Sequence, residues 1–173
     1  MKINIRNLII IFVLGLIVTL GISFSLNVST KSFENDDFSV NYDSTWKVKK
    51  NKNELLLEHN KSNSLLSIQS KNLEENYIDT KLDVIIMDIL YDIEIQNEGY
   101  NLISVMDNSS NNYECFSYLY EKDNEQVMVR VYKHNEKIIV IYYEAESKYF
   151  DIVLDSVDSI LDSLEIYTGE EVN

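Results

Sequence analysis

The sequence predicts an α+β domain in which an antiparallel sheet of about six to seven strands packs with two main helices. Two observations support this class: strand-like runs joined by short polar connections, and two stretches whose apolar residues recur at helical spacing. The predicted order is three or four strands, a helix, four strands and a helix. Short connections favour antiparallel hairpins, because parallel crossovers need longer links. A third observation, an uncharged run near the N-terminus, predicts one transmembrane helix ahead of the domain.

The N-terminal segment, residues 1–26, is predicted to be a membrane anchor. Residues 8–26 are 19 residues without a charge, close to the roughly 20 that cross a bilayer as a helix. Lys2 and Arg6 precede this run and acidic residues follow it. The positive-inside rule then places the N-terminus in the cytoplasm and the domain outside, as a single-pass protein of the cell membrane. The alternative is a cleaved signal peptide, which would make the domain secreted.

Three further boundaries follow from polarity. Residues 27–32 are short and polar, and we interpret them as a linker. Residues 33–167 contain all the strand-like and helix-like patterns and form the predicted α+β domain. Residues 168–173 are polar and acidic, which is typical of a tail that frays.

Charge excludes one class of function. The chain has a net charge of −14, and because Lys2 and Arg6 are the only charges in the first 26 residues, the remainder carries −16. Such a surface repels nucleic acid, so a DNA- or RNA-binding function is not expected. The same charge favours a basic protein partner.

The stretch FSVNYDSTW, residues 38–46, is predicted to open the domain. Phe38 and Val40 alternate with polar residues at strand spacing, and Tyr42 precedes a polar turn that ends at the only tryptophan, Trp46. A second short strand over 47–49 completes a predicted opening hairpin. A large ring directly after a turn is well placed to cover one end of a core. We therefore interpret Phe38, Tyr42 and Trp46 as structural residues.

The first half of the domain continues with strands over 54–59 and 65–70, separated by a polar turn. Thr80, three residues before Asp83, is a variant of the box that caps a helix start. One helical stripe follows, and Gly99 stands where a C-terminal cap belongs. The stripe consists of Leu82, Ile85, Ile86, Ile89, Leu90 and Ile93.

The second half contains four strand-like runs over 100–106, 113–121, 126–134 and 137–146. The last two are apolar on both alternations, which is typical of central strands covered on both faces. A final helix opens near Ser147. Its predicted buried stripe consists of Phe150, Val153, Leu154, Val157, Ile160, Leu161 and Leu164.

Taken together, the opening stretch and the element order resemble the PsbP-like family. The resemblance covers about residues 33–167. It includes a closing helix whose last turn, 162–164, feeds a short terminal strand around 165–167. Tyr42 and Trp46 match the family's opening pattern, while Asp43 stands where a proline is usual. The resemblance implies a binding or adaptor module, and no functional residue of the family transfers to this chain.

Four carboxylates on the final helix form the candidate partner face. Asp151, Asp155, Asp158 and Asp162 recur at spacings of 4, 3 and 4, so they share one side of the helix. One interpretation is a solvated face in an acidic protein. The other is a contact surface for a basic partner or for loosely held divalent cations, although the spacing does not match a calcium-binding EF-hand loop.

The tyrosines also permit two interpretations. The chain has twelve of them, and many fall in the predicted sheet, where core rims and cross-strand pairs account for them. The alternative is a tyrosine-lined groove for a peptide or a glycan. The tyrosines in question are Tyr118, Tyr120, Tyr132, Tyr142 and Tyr143.

No motif for catalysis, a cofactor or a metal stands out. The sequence contains no catalytic-triad order, phosphate loop, zinc spacing or dinucleotide fingerprint. Cys115 is the single cysteine, so an intramolecular disulfide is excluded, and we interpret it as a small buried residue. The alternative is a nucleophile assisted by His59 or His134. We expect no enzymatic activity, no cofactor and no metal site.

The sequence therefore favours a membrane-anchored, extracytoplasmic binding or adaptor domain that engages a protein partner. The alternative is a carrier or sensor domain that holds a small apolar or lipid-like ligand between helix and sheet. A carrier requires an enclosed apolar pocket of at least roughly 300 Å³.

Overall fold

The computed structural model describes residues 29–50, 54–96, 99–110 and 112–167. The elements all belong to the compact unit that begins at Lys31. The predicted anchor and the predicted tail lie outside the described residues. Of the helices that are described, none combines the length and the apolar character needed to cross a bilayer.

The described elements follow the predicted alternation of strands and helices. A short 3-10 helix, Glu75–Tyr77, precedes the first α-helix. In chain order the elements are β1 (Lys31–Glu34), β2 (Phe38–Tyr42), β3 (Trp46–Lys50), β4 (Glu54–His59), β5 (Leu65–Asn72), α1 (Leu82–Gln96), β6 (Asn101–Asp107), β7 (Glu114–Lys122), β8 (Glu125–His134), β9 (Lys137–Glu146), α2 (Ser147–Asp162) and β10 (Glu165–Ile166).

Seven strands form one antiparallel sheet in the order β3-β4-β5-β9-β8-β7-β6. This confirms the predicted α+β class and the predicted number of strands. One face of the sheet packs against α2 and the other against α1. β8 and β9 lie inside the sheet and contribute residues to both clusters, as their apolar residues on both alternations predict.

A second, three-stranded sheet corrects the predicted opening hairpin. β2 pairs with β1 on one side and with β10 on the other, whereas β3 pairs with β4 in the large sheet. Both edges of β2 are therefore occupied, and the turn that begins at Asp43 carries the chain into a different sheet. The Asp43 carboxylate accepts the Thr45 N–H at 2.6 Å in that turn. β1 includes Lys31 and Ser32, which the sequence assigned to the linker.

The start of α1 depends on long-range contacts that the sequence pattern does not contain. The Thr80 hydroxyl, predicted to cap the helix, donates to the Asn76 carbonyl at 3.3 Å. The Leu82 N–H instead donates to Glu114 Oε2 at 2.7 Å. Lys133 Nζ donates to the carbonyls of residues 78 and 80 at 2.8 and 2.6 Å. Side chains of β7 and β8 thus fix the position of the first turn of α1.

α2 follows β9 directly and packs as predicted. Phe150, Val153, Val157, Ile160 and Leu161 are its buried residues. The remaining members of the predicted stripe, at 154 and 164, are partly buried against the same cluster. β10 then returns along β2 and closes the small sheet.

Candidate functional site

The opening stretch lies in the core. Phe38, Tyr42 and Trp46 are all buried in the cluster that packs against α2. The Trp46 indole N–H donates to Ser156 Oγ at 2.9 Å, which ties β3 to α2. The edge of its ring meets the His59 ring with centroids 5.2 Å apart. These contacts are structural and leave no face of Trp46 for a ligand.

Neither His59 nor Cys115 has the surroundings of a nucleophilic pair. Burial lowers the pKa of His59, whose Nδ1 lies 2.8 Å from Ser62 Oγ. Cys115 is fully buried, and burial raises the pKa of its thiol to about 11. The thiol is therefore protonated near neutral pH, and only a thiolate is a strong nucleophile.

The predicted acidic face is divided by a contact with the sheet. Asp151, Asp155 and Asp162 are exposed. Asp158 Oδ1 instead lies 3.6 Å from Arg130 Nη2, a partner from β8 that no spacing within the helix could reveal. Arg130 is held in turn by Ser117, whose Oγ accepts its Nε–H at 2.9 Å. One of the four carboxylates thus has a cationic partner within the domain.

Asp162 lies at the edge of a cleft at the C-terminal end of α2. The cleft has a volume of about 370 Å³ and is open to solvent. Two groups of residues form it, one from the end of α2 and β10 and the other from β8 and the residues that precede β7. They are Leu161, Asp162, Leu164 and Ile166 on one side, and Asn112, Tyr113, Tyr132 and His134 on the other.

The aromatic wall of the cleft is ordered by direct contacts. Tyr113 and Tyr132 meet edge to face, with ring centroids 5.2 Å apart. Burial raises the pKa of Tyr132 to about 12, so its hydroxyl is neutral. His134 Nδ1 lies 2.8 Å from the Asn112 carbonyl oxygen. Because a carbonyl oxygen only accepts, Nδ1 carries the hydrogen, and Nε2 is an acceptor whenever the ring holds only that one hydrogen.

A second surface, which the sequence analysis missed, lies on the opposite face of the large sheet. The outer side of α1 and the strand β6 expose large apolar side chains, each between 46% and 66% exposed. Leu102 and Val105 oppose Tyr120 and Tyr118 of β7, which pack under α1, so these two side chains share the side of the sheet that α1 covers. We call Val84, Met87, Tyr91, Leu102 and Val105 the α1–β6 surface; Ile103 and Met106 of β6 are exposed as well.

A signal for this surface exists in the sequence. Val84, Met87 and Tyr91 recur at spacings of 3 and 4, which makes a second apolar stripe beside the predicted one. A helix that is apolar on two sides is buried on both or has one side to share with another molecule. The strand β6 is apolar as well, yet among the described strands it pairs only with β7.

The sheet tyrosines have mixed roles. Tyr118, Tyr120 and Tyr143 are buried core residues, while Tyr132 both packs in the core and lines the cleft. Tyr142 is partly buried against the α1 cluster.

Two carboxylates lie close together at one end of the sheet. Glu125 Oε2 accepts the Tyr100 hydroxyl at 2.9 Å. Burial and then the charge of Glu125 raise the pKa of Glu144. Within the described residues, no group of three or more His, Cys, Asp or Glu side chains could hold a metal ion.

No protein-family model matches the sequence, and no curated protein matches it. Solved structures do match. A cyanobacterial PsbP, CyanoP from Synechocystis sp. PCC 6803, superposes with a TM-score of 0.64 at 12% identity, covering 81% of this chain and 94% of that one. The Ran-binding protein Mog1p of Saccharomyces cerevisiae gives a TM-score of 0.57 at 5% identity, covering 81% of this chain and 96% of that one.

A third solved structure with the same fold is also bacterial. LpqN, involved in cell envelope biogenesis of Mycobacterium tuberculosis, gives a TM-score of 0.50 at 10% identity and covers 83% of this chain and 94% of that one. The superpositions show a shared fold. At identities this low they do not extend to a shared activity. The matches extend over nearly the whole of each solved chain, so the similarity concerns the complete domain. The chain therefore has the PsbP-like fold that its opening stretch and element order predicted.

Proposed function

We propose that the domain is an extracytoplasmic binding module that is tethered by residues 8–26, engages a protein partner and does not catalyse a reaction. The location rests on the uncharged run of 19 residues, with Lys2 and Arg6 on its N-terminal side. The absence of catalytic motifs from the sequence and the protonated thiol of Cys115 support binding over catalysis.

The exposed apolar side chains of the α1–β6 surface are the main support for this proposal. Soluble domains seldom leave large apolar side chains clustered on one side, and such patches are typical of protein contacts. Here a helix and an edge strand both contribute to the same side of the sheet. An edge strand also offers main-chain donors and acceptors to an incoming strand. The partner therefore gains apolar burial and, at β6, main-chain hydrogen bonds.

The charges around the surface indicate the chemistry of the partner. Asp83 and Asp88 are exposed on α1 beside the apolar stripe. Neither Leu82–Gln96 nor Asn101–Asp107 contains a lysine or an arginine. The complementary surface is apolar at its centre with lysine or arginine at its rim. Mog1p, which has the same fold, is described as Ran-binding; protein binding by this fold is thus consistent with the proposal.

Site-specific crosslinking in intact cells tests the surface. A photoreactive amino acid at Leu102 should crosslink the chain to a distinct protein. Val84→Glu, which places a charge in the same surface, should abolish the product, whereas Ile152→Glu should not. Ile152 is a matched control because it is apolar and 73% exposed, but lies on α2. A product that survives Val84→Glu, or one with the mass of two copies of this chain, would contradict the proposed partner.

The location has its own test. Protease added to intact cells should digest the domain, and its digestion should not require that the membrane be broken. If the domain stays protected until the cells are lysed, the proposed topology is wrong. Recovery of the domain from the medium without residues 8–26 would indicate the cleaved, secreted form.

The second candidate function, a carrier of a small apolar or lipid-like ligand, has the cleft as its supporting observation. Its volume of about 370 Å³ exceeds roughly 300 Å³, but the pocket of a carrier must also be enclosed and apolar. The cleft is open, however, and Asn112, His134 and Asp162 line it together with apolar residues, which suits a polar or charged ligand better than a lipid. Native mass spectrometry of the purified full chain should show no bound lipid; a stoichiometric lipid would reverse this ranking.

A further inference from the structure

The cleft at the end of α2 presents acceptors to any ligand that enters it. Asp162 contributes a carboxylate, and His134, whose Nδ1 donates to the Asn112 carbonyl, contributes Nε2 as an acceptor in the neutral form of its ring. The hydroxyl of Tyr113 can accept as well, whereas that of Tyr132 already bonds with Arg130 inside the domain. A ligand that is rich in donors and carries a positive charge matches this lining.

The C-terminal end of α2 adds to the negative electrostatic potential of the cleft. The C-terminus of an α-helix carries a partial negative charge, which a lysine or arginine in the last turn commonly offsets. α2 has no basic residue in its last turn and ends at Asp162, which adds a full negative charge there. Among the ion pairs of the described residues none involves Asp162. A cation from outside the domain would therefore meet a favourable negative potential at this end of the helix.

The walls of the cleft suit a cation on an alkyl stem. The edge-to-face pair of Tyr113 and Tyr132 offers aromatic surface for a cation–π contact. Leu161, Leu164 and Ile166 supply an apolar wall along which methylene groups pack. A volume of about 370 Å³ leaves room for one long side chain together with the backbone that carries it.

We propose that this cleft binds a cationic side chain, arginine or lysine, of an extended basic peptide. The guanidinium or ammonium group lies against Asp162 and the tyrosine rings. The alkyl part of the same side chain lies against the apolar wall. The site lies on the α2 side of the large sheet, whereas the α1–β6 surface lies on the other side. The proposal is therefore independent of the protein contact proposed above.

Peptide binding to the full chain in nanodiscs of zwitterionic lipid tests this site. The probe is a fluorescein-labelled Gly-Arg-Gly-Arg-Gly peptide, followed by fluorescence anisotropy, and its citrulline analogue is the neutral control. Asp162→Asn should weaken binding of the arginine peptide about fivefold, the loss expected for one cation contact. Asp155→Asn, an equal charge change on the same helix face but outside the cleft, should have a much smaller effect.

Each outcome decides for or against the cleft. Equal weakening by Asp162→Asn and Asp155→Asn would show binding to a diffuse acidic surface and would overturn the proposal, as would equal binding of the citrulline peptide. Spermidine that binds as tightly as the peptide would identify a free polyamine as the ligand and would also overturn it. Val84→Glu should leave the peptide affinity unchanged, so a failure here can be told apart from a failure of the α1–β6 surface.

Discussion

β3 and β6 lie at the two ends of the described seven-stranded sheet, and their exposed side chains differ in kind. β3 exposes Lys47 and Lys49, and Lys49 forms an ion pair with Glu58 at 2.5 Å. β6 has no basic residue and exposes four large apolar side chains. Lysines on an edge strand discourage pairing with other chains. The charge pattern thus protects one edge of the sheet and leaves the other open to association.

Irregular pairing does not explain the difference. Each strand has one β-bulge, between Val48 and Lys50 in β3 and between Leu102 and Ser104 in β6. Bulges twist an edge and also limit pairing. Since both edges share this feature, the contrast is in side-chain chemistry. Exposure of apolar side chains at β6 is therefore a local property of that edge and not of the sheet as a whole.

β3 and β6 should differ most in how much a truncated side chain lowers the stability of the domain. Trp46→Ala at the start of β3 removes a fully buried ring that also donates to Ser156, and should lower the free energy of unfolding by about 3 kcal/mol or more. Leu102→Ala in β6, a half-exposed position, should change it by less than about 0.5 kcal/mol. Urea denaturation measures both. Equal losses would mean that β6 is part of the stable core and that the contrast is wrong.

The next effect concerns the helix beside β6. Lys133→Met removes the ammonium that holds the carbonyls of residues 78 and 80, and should cost about 2 kcal/mol. Hydrogen exchange should increase in the first turns of α1. Lys137→Met is the matched control, because Lys137 is equally buried but pairs with Asp37 at 2.6 Å on the α2 side. If both variants loosen α1 equally, the clamp at Lys133 does not position the helix.

These variants also separate what the sequence could predict from what it could not. The apolar residues on both alternations in β8 and β9 and the stripes of both helices are local patterns. They predicted the class, the central strands and the buried helix faces, except that the side chain of Ile93 in the α1 stripe lies outside the described residues. The pairing of β2 with β10 joins Ser39 to Glu165, and no local pattern encodes contacts that distant. Asp162 was identified as a candidate from its helix alone, but the cleft also needs Tyr113 and His134 from elsewhere in the chain.

Glu144 of β9 should have a smaller effect on stability, and it tests whether the apolar side chains of β6 are exposed because the sheet is unstable. The folded-state pKa of Glu144 is raised above its usual value, chiefly by burial. The folded state thus holds the proton of Glu144 more tightly than the unfolded state does. The stability that protonated Glu144 contributes to the fold is complete below the usual carboxyl pKa and is lost as the pH rises through the folded-state pKa. Glu144→Gln should be as stable as the wild type or slightly more stable at pH 7, by less than about 1 kcal/mol.

The pH profile is the readout for Glu144. The difference in free energy of unfolding between Glu144→Gln and the wild type should shrink as the pH falls from 7 toward 4, since the wild-type carboxyl then takes up its proton. A difference that does not change with pH contradicts the raised pKa. Crosslinking from Leu102 should be the same in both proteins; a decrease in the more stable variant would mean that association proceeds through partial unfolding.

The smallest expected change in stability is the most direct test of the comparison. Val105→Lys gives β6 the kind of residue that β3 already has, and Val48→Lys makes the same change on β3. Val105 and Val48 are 49% and 39% exposed, so each variant should alter the free energy of unfolding by no more than about 0.5 kcal/mol.

Association should nevertheless differ: Val105→Lys should abolish crosslinking of the α1–β6 surface to its partner, and Val48→Lys should leave it intact. Because the two substitutions match in residue type, exposure and charge, a difference in crosslinking without a difference in stability assigns the contact to β6. Loss of crosslinking in both variants would instead mean that added positive charge anywhere on the sheet edge interferes, and the two edges would then be equivalent in function despite their different side chains.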